Sequence, residues 1–283
     1  MFAEFEAHLR QRDMAEGTVV GYLQDLKLFR AWFEDDTGES LSDETVTAMD
    51  VIAYRKHLIE ERIGVATINR RLTAIRQWLR WAGNGEADGV RHVKTSGRLA
   101  PKGLERRQVS ALLRAAKRGR HPRRDSALIT LIIETGLRIS EVANLRLGDL
   151  TINGRSGEVR IVGAKGMKTR RVPLNAGARR ALREWLEVRP ADGENVFTSQ
   201  KGGRLSKSAM QRIISNLARD AGLENVSAHT LRHTFATNYL EQTHDLIGLS
   251  RLLGHTNLNT TAIYAQPSMA DLAERVEKAS LTE

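Results

Sequence analysis

Residues 126–150 read SALITLIIETGLRISEVANLRLGDL, and how this run divides decides what the second half of the chain is. From Ser126 to Thr135 the apolar residues are nearly continuous, Gly136 interrupts them, and a second helical pattern follows. The run is therefore helix, turn, helix, with Arg138 just past the turn, where a guanidinium is free to reach into a cleft. Upstream, LERRQVSALLRAAKRG (104–119) opens another helix. Downstream, GEVRIVGAKGMKTRRVPLN (157–175) alternates around Val159, Ile161, Val172 and Leu174, with glycines and lysines at its tip. That period of two predicts a β-hairpin or small sheet, and the pattern returns to mainly helical after residue 176.

Working towards the N-terminus, the first 82 residues read as helices joined by short turns. TVVGYLQDLKLFRAWFEDD (18–36) sets Val19, Tyr22, Leu23, Leu26, Phe29 and Phe33 on one side, and MDVIAYRKHLIEER (49–62) is read with Ile52, Leu58 and Ile59 inward. In ATINRRLTAIRQWLRWAG (66–83) the stripe Ile68, Leu72, Ile75, Leu79 has the spacing of a buried helix face, while Arg70, Arg71, Arg76 and Arg80 take the flanks and far side. A basic helix face of this width is a candidate for phosphate contact in a DNA groove. Residues 83–103 carry five glycines and little apolar periodicity, which marks a linker. The expected layout is a helical first domain at 1–90, a linker at 91–103 and a second domain at 104–283. The fold class is mainly α: an N-terminal helical bundle, then a mostly helical domain with a small antiparallel β-sheet.

The bulk numbers agree with a globular chain of 283 residues, 41% hydrophobic and 28% charged. There is no cysteine, so disulfides, thiolate metal sites and cysteine nucleophiles are all excluded. The first residues, MFAEFEAHLRQRDMAEG, mix charges every few positions, so neither a signal peptide nor a membrane span is expected there and the reading is cytosolic. The net charge of +10 points to a polyanionic partner. It is unevenly spread. Residues 1–50 hold 4 basic and 12 acidic side chains, residues 51–94 hold 9 and 4, and residues 95–283 hold 31 and 18.

Four stretches of the second domain carry polar groups that a structural helix does not need: TGLR (135–138), GAKGMK (163–168), HTLRH (229–233) and LLGH (252–255) with Tyr264 downstream. His229 and Arg232, three apart, project from one face of a helix start, where backbone N–H groups also favour an anion. Two arginines can grip the oxygens of one phosphate with forked hydrogen bonds and keep their charge at neutral pH. A lysine on a hairpin tip can swing onto a leaving oxygen as a proton donor. Spacing alone does not rank Lys165 against Lys168. Glu141 reads as a support for Arg138, and Tyr22, Tyr54 and Tyr239 as packing residues. No carboxylate stands at ligand spacing beside His229, His233 and His255, so no metal is expected.

As an ordered set, Arg138, Lys165, His229 with Arg232, His255 and Tyr264 resemble the tyrosine recombinase (phage integrase) family, closest to its short Xer-like members, over essentially the whole chain. TGLRISEVANL is similar to the family's first-arginine box, VGAKGMKTRRVPL to its lysine hairpin with Ala164 where the family often has Gly, SAHTLRHTFAT to its His-x-x-Arg box, and LLGHTNLNTTAIY to its nucleophile box. The resemblance makes 1–90 the DNA-binding domain and 104–283 the catalytic domain. It implies that Tyr264 attacks a DNA phosphate to give a 3′-phosphotyrosyl link and a free 5′-hydroxyl. It implies that Arg138 and Arg232 hold the phosphate, Lys165 protonates the leaving oxygen, His229 assists proton transfer from the tyrosine, and His255 hydrogen-bonds the phosphate. Lys165 is preferred over Lys168 because it matches the family position between Ala164 and Gly166. No cofactor is implied: fixed arginines substitute for a metal, and the phosphotyrosine stores the energy for rejoining. The implied partners are double-stranded DNA and three further copies of the chain, a homo-tetramer on two DNA sites. Leu272, Ala273, Val276 and Ala279 form a C-terminal helix face that could dock on its own domain or, as the resemblance implies, on a neighbour. A type IB topoisomerase-like enzyme and a non-catalytic DNA-binding accessory protein remain as alternatives.

Overall fold

Hydrophobic spacing sets the first four helices. The computed structural model of the chain describes residues 2–94, 103–162, 169–191, 193–199 and 202–254, and the chain divides into two units, Met1–Arg98 and Leu99–Glu283. In the first, α1 (Phe2–Gln11), α2 (Glu16–Thr37), α3 (Ala48–Glu60) and α4 (Val65–Trp81) enclose one core. Phe5 and Leu9 come from α1, Val19, Leu26, Phe29 and Phe33 from α2, and Ile68, Leu72, Ile75, Trp78 and Leu79 from α4. Burying each such side chain contributes about 1.5–3 kcal/mol. Tyr54 is buried against Phe29 and Trp32, as a packing tyrosine.

The inward face of α3 differs from the sequence reading. Val51, Tyr54 and Leu58 are buried, whereas Ile52 and Ile59 face solvent. Both sets have helical spacing. The capping box in which Thr47 and Asp50 satisfy each other's N–H groups fixes where the helix starts, and the aromatic partners of Tyr54 fix which face turns inward.

Residues 83–94, read as the start of a flexible connection, belong to this unit. A 3-10 turn, Glu86–Gly89, buries Ala87, and Val90 joins the same core. Arg76 donates to the carbonyls of Ala87 (3.3 Å) and Val90 (2.6 Å). Asn69 clasps Val93 on both sides, its Nδ2 donating to the carbonyl at 3.0 Å and its Oδ1 accepting from the N–H at 2.8 Å. Arg55 donates to the carbonyl of Arg91 at 2.7 Å. The described part of the expected linker, 91–94, is therefore tied down on its N-terminal side.

In the second unit α5 (Arg106–Arg118), α6 (Pro122–Thr135), α8 (Ala176–Leu186), α9 (Lys207–Asp220) and α10 (Ala228–Thr243) share one core. α6 lies at its centre, packed by α5, α8 and α10, with Ala127, Leu128, Ile129, Leu131 and Ile132 at zero exposure. A helix apolar on nearly every side belongs inside. The helix after Gly136, α7 (Ile139–Asn144), has six residues, shorter than the run to Leu150 implies. Beyond it the chain forms a 3-10 turn, Leu147–Asp149, and then β1 (Leu150–Ile152). β1 pairs antiparallel with β2 (Gly157–Ile161), and β2 with β3 (Arg170–Pro173), in the order β1-β2-β3 and with Val159 opposite both Leu150 and Val172. A short α11 (Leu246–Leu253), capped by Asp245 onto the N–H of Gly248 at 2.7 Å, ends the described chain at Gly254. Among the described residues, no helix is long and apolar enough to cross a membrane.

Candidate active centre

The site grows from the end of α6. Gly136 closes that helix with φ +64°, a left-handed conformation that costs an L side chain energy. A Cβ there would also collide with Phe235 of α10 and Leu253 of α11. Glycine therefore turns the chain and lets three helices approach one another.

Two residues on, Arg138 is the N-cap of α7. Its N–H donates to Glu141 Oε2 at 2.8 Å and its Nη1 to Glu141 Oε1 at 3.1 Å. The same nitrogen reaches the carbonyl of Leu253 at 3.3 Å. Arg232, one turn into α10 and 3% exposed, donates to the carbonyls of Gly136 (2.6 Å) and Leu253 (3.0 Å). The last carbonyls of α11 carry the negative end of its dipole and lack helical partners, which is why guanidinium groups gather there.

A third arginine completes the cluster, and sequence reasoning missed it. Arg170, first residue of β3, donates through Nε to the carbonyl of Leu252 at 2.8 Å and forks onto both oxygens of Glu141 at 2.9 Å each. Gly254 lies over this guanidinium so closely that a Cβ would sit 2.9–3.0 Å from it. The signal was strand alternation: Arg170 shares a face with the buried Val172, while Arg171 points outward to Glu158 at 3.1 Å. Two guanidinium groups, those of Arg138 and Arg170, thus meet one carboxylate, while Arg232 reaches the same helix end through the Leu253 carbonyl. Burial pushes the Glu141 carboxyl up, but hydrogen bonds from Arg170 and the Arg138 N–H, with both arginine charges, hold it below the ordinary range.

His229 stands at the start of α10, after the Ser227 N-cap, with its side chain open to solvent on one side. Its ring meets that of His233 edge-on, with centroids 4.6 Å apart. Partial desolvation and then the charges of Arg232 and Arg138 hold its pKa below the usual histidine value. His233 is buried, and burial, His229 and Arg232 lower its pKa in the same way. The two rings therefore favour the neutral form at pH 7, in which an imidazole nitrogen can accept a proton.

The structure thus brings Arg138, His229 and Arg232 together and adds Glu141 and Arg170. Lys165, its rival Lys168, His255 and Tyr264 lie outside the described residues, as does the C-terminal helix, but β3 and α11 are the elements that border them. Among the described residues, no three His, Cys, Asp or Glu side chains assemble as metal ligands. The four arginines of α4 belong to the first unit and have partners there. Arg70 pairs with the buried Asp25 at 2.6 Å, and Arg71 approaches Asp25 at 3.8 Å and donates to the Tyr54 hydroxyl at 3.3 Å. Arg76 holds Ala87 and Val90 as above, and Arg80 pairs with Asp88 at 2.6 Å.

Comparison with known proteins gives matches across both units. Residues 102–271 match the model of the phage integrase family, and residues 2–84 that of the phage integrase N-terminal SAM-like domain. The chain is 39% identical to tyrosine recombinase XerC of Actinobacillus pleuropneumoniae serotype 7 (strain AP76) over 226 residues, 76% of this chain and 72% of that protein. It is 34% identical to tyrosine recombinase XerC of Histophilus somni (strain 2336) over 282 residues, 95% and 92% of the two chains. Among solved structures, the XerH site-specific recombinase bound to difH substrate, a pre-cleavage complex, is similar with a TM-score of 0.74 and 26% identity, over 94% of this chain and 79% of that one.

Proposed function

The chain belongs to the phage integrase family, and from that premise we propose that it is a site-specific DNA recombinase, cutting and rejoining duplex DNA through a 3′-phosphotyrosyl intermediate. One observation carries the reading: Arg138 and Arg232 converge, from different helices, on the carbonyl that ends α11, two residues before His255. Positioned charge is what phosphoryl transfer needs. The names of the relatives above support recombination over relaxation of supercoils.

In this reading Arg138 and Arg232 bind the non-bridging oxygens of the scissile phosphate. Tyr264, whose ordinary pKa near 10 makes it a poor nucleophile, attacks as its proton passes to neutral His229. The 3′-phosphotyrosyl bond forms as the bond to the 5′-oxygen breaks, and Lys165 protonates that oxygen. His255 donates to the phosphate. A 5′-hydroxyl from the partner strand reverses the step, releasing Tyr264. The chemistry requires neither metal nor ATP.

Duplex binding by α4 is part of the same proposal. Arg70 and Arg80 keep about half of their side chains in solvent while holding carboxylates, so their outer edges can meet phosphates. Arg71 and Arg76 act by fixing the helix. Assembly as a tetramer on two DNA sites, with Leu272, Ala273, Val276 and Ala279 docking on a neighbour, and a cytoplasmic setting beside the chromosome complete the proposal.

The test is a nicked suicide duplex from which the cleaved fragment diffuses away. Wild type should accumulate a covalent protein–DNA adduct, in excess chelator as well as without it, and Tyr264→Phe should form none. An adduct that persists in Tyr264→Phe sinks the nucleophile assignment. Its absence from wild type on a verified site supports the non-catalytic binding protein instead.

A further inference from the structure

The far end of α6 opens a second basic site. Whereas its C-terminus feeds the arginine cluster, its N-terminus borders a cavity of about 510 Å³ lined by Arg120, His121, Arg123 and Arg124 over a floor that includes Trp185 and Pro190. At ~1.5 Å per residue, the 14-residue helix holds the two sites about 20 Å apart. Two polar groups of the cavity lack a partner among the described residues, and one of them, the Thr198 hydroxyl, is fully buried. Arg124 is 8% exposed, and the only hydrogen bond it makes among the described residues is from Nε to Asp125 Oδ1 at 2.8 Å, which leaves both terminal nitrogens without an acceptor. Thr198 is 2% exposed and its Oγ1 has no partner among the described residues.

A buried hydroxyl left in this state costs a fold free energy, and a ligand that satisfies it recovers it. The pair of terminal nitrogens is the fork that binds a planar or tetrahedral oxyanion end-on. The start of α6 adds a partial positive charge, with no side-chain cap from His121 to satisfy its first N–H groups. Two carboxylates temper the field, Asp125 on the Nε edge of Arg124 and Glu187 at 3.9 Å from Arg123. Arg120 makes no ion pair among the described residues, so positive charge remains in excess. The volume is that of a small-molecule site and greatly exceeds one phosphate, and the apolar floor has no use for a bare anion. A recessed guanidinium also suits a terminal phosphate better than one strung along a stiff duplex.

We propose that this cavity binds a phosphorylated small molecule of nucleotide size, its phosphate on the terminal nitrogens of Arg124 and the Thr198 hydroxyl, its organic body on the Trp185–Pro190 floor. The site is separate from the active centre and does not depend on the recombinase reading.

Calorimetric titration of the full-length protein with ADP, inorganic phosphate and a 30-base-pair duplex tests it. ADP should bind at one site per chain and more tightly than inorganic phosphate. Arg124→Met should weaken ADP about tenfold or more, Thr198→Val by about threefold, with unchanged thermal melts, while Arg138→Ala leaves ADP affinity unaltered. Three results overturn the proposal: no ADP binding to folded wild type; ADP binding that Arg138→Ala abolishes and Arg124→Met does not; or a loss on Arg124→Met confined to the duplex, which would make DNA backbone the ligand. Equal affinity for ADP and inorganic phosphate would likewise overturn it, since the floor would then hold no organic body.

Discussion

The arginines of α4 and those around α11 look alike in the sequence, yet the molecule uses them in opposite directions. On α4 each guanidinium reaches outward along the helix to close its own unit: Arg70 onto Asp25, Arg76 onto the strap at 87–90, Arg80 onto Asp88. Around α11 three guanidinium groups from α7, β3 and α10 reach inward to one helix end, and two of them, Arg138 and Arg170, share the Glu141 carboxylate. Charge consumed by the fold stabilises it, whereas charge gathered in excess beside one point can serve a phosphate. The acceptors decide which is which, and they come from other parts of the chain.

The largest break in this comparison should come from the inward set. Arg232→Lys and Arg138→Lys keep the charge but lose the fork, and the rate of covalent trapping is expected to fall about 10²–10³-fold, with duplex affinity changed far less. A rate within a few-fold of wild type would show that these arginines are only scaffolding.

Arg170→Met should come next. With the guanidinium gone, the end of α11 loses a donor and Glu141 loses both of its forked bonds, so trapping slows about 10–100-fold through misplacement. Because its folded pKa lies below the ordinary one, Glu141 contributes stability above about pH 4 that is lost as pH falls through the folded value. Wild type should therefore melt earlier in acid, and Arg170→Met should show a weaker acid dependence along with a loss of about 3 kcal/mol at neutral pH. A melting temperature equal to wild type at neutral pH would count against the clamp.

A smaller effect concerns proton transfer. Since desolvation, Arg232 and Arg138 lower the His229 pKa, its ring should titrate below the ordinary value of 6.5 in NMR, and Arg138→Ala should move that midpoint upward. The acid limb of the trapping rate should follow the same midpoint and vanish in His229→Gln. A midpoint above 6.5 would contradict the geometry.

The outward set should leave the chemistry least changed. Asp25 is 1% exposed, and burial raises its carboxyl above the ordinary range despite Arg70 and Arg71. Such a carboxyl favours the fold only below its ordinary pKa, and that contribution fades as pH rises through the folded value. Asp25→Asn should accordingly cost little at pH 7, while Arg70→Met, which strands the carboxylate, should cost about 3 kcal/mol. Neither should alter the trapping rate at saturating DNA. A tenfold slower rate would mean that α4 reaches the reaction itself.

Legibility in the sequence followed the length scale of each interaction. The α4 stripe at Ile68, Leu72, Ile75 and Leu79 was visible because it repeats within one helix, and all four are buried. The α3 stripe was misphased because VIAY offers two adjacent apolar faces and distant aromatic rings choose between them. His229 and Arg232 were legible as one face of a helix start, but not their different depths, which depend on Leu253 and Gly136 closing over the arginine alone. Arg170 escaped because its partners lie 29 and 82 residues away.

Those separations bear on how such a chain can be inherited. Glu141, Arg170 and the end of α11 form one bonded group whose members lie 29 and 82 residues apart, so a gene exchange that replaces the β2–β3 hairpin without its matching carboxylate would import a guanidinium that has lost its counter-charge. Chimeras with a junction between residues 141 and 170 should keep full stability only when both parents carry the pair, because each segment supplies one half of the clamp.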